Sequence, residues 1–135
     1  MKAYEIALEL YGLQETSGSL SNPDVDRFFK SFGFDLDDSY AWCSAFMNWC
    51  QREAGNPYTK NLAAKSWVHW GNRAYSPQLG DVVVFHRGNP NDWRGHVGFY
   101  IAERNGVIYT LGGNQSNQVK ISGYAKSRLY QYRTL

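Results

Sequence analysis

Two cysteines are all this chain of 135 residues has, and they do not form the CxxC pair that would begin a zinc or redox motif. Its three histidines, His69, His86 and His96, are dispersed, with no HxxxH among them. No metal and no cofactor is therefore expected. Long apolar runs are missing as well. The longest, 82-VVVF-85 and 97-VGFYIA-102, fall far short of the ~20 residues a membrane-spanning helix requires, so no membrane partner is expected. There is no dense basic cluster either: 14 Lys and Arg against 12 Asp and Glu are scattered for a formal charge of +2, which argues against nucleic acid as a partner. The opening segment 1-MKAYEIALELYG-12 carries Glu5 and Glu9 inside its apolar pattern and does not resemble a secretory signal.

What is present is apolar (43%) and notably aromatic (16%), enough for one core and a single domain over residues 1–135. The first half is helical in texture. Ala3, Ile6, Ala7 and Leu10 repeat at helical spacing until 12-GLQETSG-18. Asn22 before Pro23 reads as a cap with proline at the first helical position, followed by Val25, Phe28, Phe29 and Phe32. A third helix is expected from about Ala41 to Ala54, ending at Gly55, and a shorter helical segment in 61-NLAAKSWVHW-70. From Gly80 the texture changes to strands, in 81-DVVVFHR-87, 96-HVGFYIAE-103 and 107-VIYTL-111, with later ones in 117-NQVKIS-122 and 128-RLYQYR-133. Asn105-Gly106 is a hairpin signal. Helices first and strands after predict an α+β fold, with N-terminal helices packed on a C-terminal antiparallel sheet.

Cys43 and Cys50 stand seven residues apart in the third helix, a rise of ~10.5 Å, whereas a disulfide needs Cα atoms within ~7 Å. They are either two buried thiols or one reactive thiolate and a bystander. Cys43 falls in the first turn, where free amides and the positive end of the helix dipole favour a thiolate; Cys50 lies mid-helix beside Phe46 and Trp49 and reads as core.

A thiol nucleophile needs a base. His96 opens a strand, and alternation places His96, Gly98 and Tyr100 on the face opposite Val97, Phe99 and Ile101. A glycine next to it on that face would let another element, such as the Cys43 helix, come close. His86 reads as a surface histidine and His69 as a packing one. In 110-TLGGNQSNQ-118 the following strand is expected to end in a turn, from which Asn114 could orient the imidazole. The alternative is an ordinary turn asparagine.

A cysteine opening a helix, a strand beginning Gly-His-Val and a polar residue after the next strand, in that order, resemble the papain-like NlpC/P60 and CHAP cell-wall hydrolases. The segments 12-GLQETSG-18, 40-YAWCSAFMNWCQREAG-55, 66-SWVHWG-71, 78-QLGDVVVF-85, 95-GHVGFYI-101 and 111-LGGNQ-115 carry that resemblance over nearly the whole chain. It implies a papain-like domain that cleaves an amide bond of peptidoglycan peptides, as an endopeptidase or an N-acetylmuramoyl-L-alanine amidase. Cys43 matches the nucleophile, His96 the base and Asn114 the third polar residue. The sequence departs from the CHAP pattern where a Glu commonly stands two residues before the Asn: here that residue is Gly112. The expected mechanism is attack by a Cys43 thiolate paired with a His96 imidazolium, through a thioester. The oxyanion would meet the amide of Cys43 and a donor such as Tyr40, and Ser39, Tyr40, Trp42 and Trp93 could wall the groove, with Trp42 and Trp93 reading at least as well as core or loop aromatics. A silent wall-binding module, or a transpeptidase or deamidase using the same pair, are the alternatives. Without a signal peptide, such an enzyme is expected to be made in the cytoplasm and to reach the wall by phage lysis or machine-mediated export. An injected effector would also imply an immunity protein.

Overall fold

The computed structural model describes residues 2–14, 22–31, 33–34 and 41–135. Helix α1 (Ala3–Glu9) buries Ala3 and Ala7. Helix α2 (Pro23–Lys30) opens as its sequence predicts: the Asn22 side chain accepts a hydrogen bond from the Asp24 amide at 2.8 Å, and Pro23, which has no amide hydrogen to lose, takes the first turn. Its Val25, Phe28 and Phe29 are fully buried, while Phe32 lies outside the described residues. Helix α3 (Cys43–Glu53) begins two residues later than the Ala41 expected. It closes with Gly55 N–H on Arg52 C=O at 3.0 Å and Asn56 N–H on Gln51 C=O at 2.9 Å, the paired bonds of a glycine-terminated helix. The 61–70 segment forms a 3-10 helix (Ala64–His69) that buries Trp67.

Among the described residues six strands form one antiparallel sheet: β1 (Asn72–Ala74), β2 (Val82–His86), β3 (Gly95–Arg104), β4 (Val107–Gln115), β5 (Gln118–Ala125) and β6 (Leu129–Thr134). Their order across the sheet is β1-β6-β2-β3-β4-β5. Asn105 (φ 53°) and Gly106 (φ 76°) turn β3 into β4 with both residues left-handed, as a tight hairpin matching strand twist demands. One face of the sheet gives Val82, Val84, Val97, Phe99 and Leu111 to a core shared with Phe28, Phe29, Trp42, Phe46 and Trp67. The other face carries a smaller cluster of Val83, Phe85, Ile108 and Tyr132. The expected alternation along β3 therefore holds, and the α+β architecture is as the sequence predicts.

Two details differ and both bear on the site. β4 does not end at Leu111; it runs through Gly112 and Gly113 to Gln115, with its register to β5 broken between Gly112 and Gln115. Nor is Gly98 where α3 comes close, since a Cβ there would meet Thr110 and Leu111 of β4. The close approach is at Gly113, where a Cβ would lie 2.7 Å from Cβ of Phe46 and 2.8 Å from the Trp42 ring. A side chain at 113 would hold the helix off the sheet.

Candidate active site

Cys43 is the first residue of α3 and is 8% exposed. Its turn is fastened to the chain beyond the helix through Ser44, whose hydroxyl donates to the Asn61 carbonyl at 2.6 Å and accepts from Trp67 Nε1 at 2.9 Å. Asn48, one turn on, donates to the Ser44 carbonyl at 2.9 Å and accepts from the Lys60 amide at 2.9 Å. These bonds, two of them fully buried, fix the direction of the helix end. Sequence reasoning missed both residues, whose only signal is polarity on an otherwise apolar helix face.

Strand β3 pairs with β2 from its first residue, Gly95 opposite His86, but its pairing with β4 begins only at Phe99 opposite Leu111. The Cys43 sulfur meets the start of β3 there. The amides of Val97, Ser44 and Cys43 itself stabilise its anion, but burial outweighs them and pushes the thiol up. The Val97 nitrogen is one bond from the carbonyl carbon of His96. The nucleophile candidate thus lies beside the backbone that follows the base candidate. Cys50 is also a free thiol, fully buried, and pushed well up by burial and then by Glu53.

His96 is 9% exposed, and its ring joins an aromatic cluster with Tyr124 at 4.9 Å between centroids and Phe85 at 6.4 Å. Its Nε2 lies 2.8 Å from Oε1 of Gln115. The Gln115 carboxamide can be oriented without ambiguity, because its Nε2 donates to the Thr110 carbonyl at 3.2 Å and to the Lys120 carbonyl. Its oxygen must then accept, from the Thr110 hydroxyl at 2.9 Å and from His96. The neutral imidazole consequently carries its proton on Nε2 and keeps the Nδ1 lone pair. Burial, with smaller contributions from Arg128 and Arg87, pushes His96 down to about 4 against the raising effect of Gln115.

Gln115 therefore holds the position expected of Asn114. Asn114 has φ 58° and is half-buried, and its side chain makes no hydrogen bond among the described residues. The broken register explains the exchange. It turns Gln115 inward to fill the space left by Gly112, where a Cβ would stand 3.0 Å from the Gln115 oxygen and 3.4 Å from His96 Nε2. A further correction concerns Trp42, which is fully buried against Phe28 and Phe46 at 6.4 Å each. It is core and cannot wall an open groove. Trp93 is 74% exposed in the loop between β2 and β3. Ser39 and Tyr40 lie outside the described residues.

A helix that opens on a cysteine and packs against an antiparallel sheet bearing a histidine is the papain-like arrangement. The model of the CHAP domain family matches residues 35–114. This chain belongs to that family, one of cell-wall hydrolases that act on peptidoglycan peptides. In structure it is similar to NlpC1 from Trichomonas vaginalis, with a TM-score of 0.58 and 19% identity over 97% of this chain. It spans 42% of that chain, and the likeness is one of fold. No curated protein matches the sequence.

Proposed function

We propose that the protein is a peptidoglycan amide hydrolase, with Cys43 as nucleophile, His96 as general base and acid, and Gln115 as the residue that orients the imidazole. The observation that carries this reading is the fixed tautomer of His96. With Gln115 holding the proton on Nε2, the lone pair that can accept the thiol proton is on Nδ1. Burial raises the Cys43 thiol and lowers His96, so the resting pair is uncharged, in place of the ion pair expected from the helix end alone.

On attack, the Cys43 S–H proton passes to Nδ1 as the sulfur bonds to the substrate carbonyl carbon. The tetrahedral oxyanion is met by amides of the first helical turn, which have no partner within the helix. The imidazolium then protonates the departing amine and leaves a thioester. Water, deprotonated by the same nitrogen, releases the acid and restores the thiol. Gln115 stabilises the transient cation by its dipole and adds no negative charge.

The test is digestion of purified peptidoglycan with mass spectrometry of the soluble fragments, with and without an added primary amine. New carboxyl and amino termini establish hydrolysis and name the bond. An amine adduct in place of the acid would make the protein a transferase, and intact peptidoglycan after exposure to folded protein would refute the reading.

A further inference from the structure

Four cationic side chains surround the His96 end of the sheet, and they differ in what neutralises them. Arg94 is spent on Asp92, with its guanidinium 2.7 Å from the carboxylate. Lys65 is spent on backbone carbonyls of the same loop, at Pro90 (3.1 Å) and Asp92. Arg87 and Arg128 have no carboxylate partner among the described residues.

Arg128 is nonetheless held in place. Its guanidinium carbon lies 5.3 Å from the centroid of Tyr124, the ring stacked on His96, and its Nε donates to the His86 carbonyl at 3.2 Å. Its terminal nitrogens make no hydrogen bond among the described residues. Arg87 follows His86 directly at the end of β2 and is exposed, its amide donating to the Arg94 carbonyl at 3.3 Å. The strand it follows ends at His86 opposite Gly95, the neighbour of His96, and its charge acts on Cys43, His96 and Tyr124 in the same direction, lowering the pKa of each. Both cations oppose protonation of His96, a cost that a catalytic site offsets if the same charges bind the substrate.

We propose that Arg87 and Arg128 form a carboxylate-binding subsite beside Cys43, selecting amide substrates that carry a free carboxylate near the scissile bond over those in which it is amidated. This rests on the hydrolase reading above and deepens it. Peptidoglycan stem peptides contain an acidic residue whose carboxyl occurs either free or as the primary amide, and the subsite would discriminate between the two. A guanidinium meets a carboxylate with two parallel charge-assisted hydrogen bonds; against a carboxamide it meets a neutral oxygen and an N–H donor.

The experiment uses two synthetic stem peptides that differ only in this carboxyl or carboxamide. Their kcat/KM ratio is measured for the wild type, Arg87→Gln, Arg128→Gln and Arg128→Lys. The ratio of their affinities is measured by calorimetry on Cys43→Ala, alone and combined with each arginine variant. The wild type is expected to favour the free carboxylate about tenfold, with the ratio falling toward unity in the Gln variants and partly restored in Arg128→Lys. Because the ratio is read, a general loss of activity from disturbing Tyr124 does not imitate the result. Equal treatment of the two peptides by the wild type, or a preference that survives both Gln variants, overturns the subsite. If neither peptide is cleaved, the hydrolase reading fails for these substrates, and the affinity ratio on Cys43→Ala decides the subsite separately.

Discussion

His96 Nε2 and the side-chain oxygen of Gln115 lie 2.8 Å apart in a buried contact, and the other end of that carboxamide is tied to two backbone carbonyls. Gln115→Ala leaves the imidazole free to change tautomer and is expected to lower kcat by about 10–100-fold with a smaller effect on KM. Gln115→Glu restores the charge that CHAP enzymes commonly place nearby, but it sets a carboxylate oxygen against the carbonyls of Thr110 and Lys120. It should destabilise the fold by about 2–3 kcal/mol. Asn114→Gly, at a positive φ that glycine accepts, should leave kcat within about twofold of wild type. Steady-state kinetics on the three variants, with denaturant melts, checks the assignment.

The adjacent glycines should fail in different ways. Gly113→Ala places a methyl 2.7 Å from Cβ of Phe46 and is expected to cost about 3 kcal/mol of stability, because neither the helix nor the strand can yield cheaply. A Cβ on Gly112 presses instead on the Gln115 carboxamide and His96. Gly112→Ala should melt close to wild type and lose activity. Paired unfolding curves and rates separate the two.

These contrasts mark how much the sequence discloses. Asn22-Pro23, Asn105-Gly106 and Gly55 were legible because a cap or a tight turn is decided by a few consecutive residues. The face of His96 was legible because β3 alternates without interruption up to Phe99. Gln115 was not. Counting from Thr110 in steps of two puts Gly112 and Asn114 on one face, and only the break in register between Gly112 and Gln115 moves Gln115 onto it. Trp42 was ambiguous for a related reason: an aromatic residue beside Cys43 suits a groove or a core equally, and its packing against the buried Phe28 and Phe46 decides for the core. Strand β1 has three residues and no alternation of its own. It exists because β6 inserts between it and β2, a pairing between segments remote in sequence.

Acid should unfold the protein in part through His96. Its folded value of about 4 lies below the ordinary 6.5, so the unfolded chain binds the proton first. The stability tied to this group is complete above pH 6.5 and is lost as pH falls toward 4, amounting to about 3 kcal/mol at ~1.4 kcal/mol per unit. Urea melts across that window should show the loss in wild type and a shallower slope in His96→Gln.

Reactivity of the thiol should report the uncharged resting pair. With Cys43 held above 9.0 in the absence of substrate, its alkylation by iodoacetamide should climb through pH 9 without a plateau at acidic or neutral pH. A thiolate–imidazolium pair would instead give a plateau at roughly pH 5–8. Cys50→Ser serves as background, so that the rate belongs to Cys43 alone.

The central claim is that Cys43 is the nucleophile in cleavage of a peptidoglycan amide. Its most direct measurement is the rate at which wild type and Cys43→Ala release new amino termini from purified peptidoglycan, with circular dichroism confirming that both are folded. The account predicts release by the wild type and a drop of at least about 1000-fold in the variant. Equal release by the two proteins would contradict it.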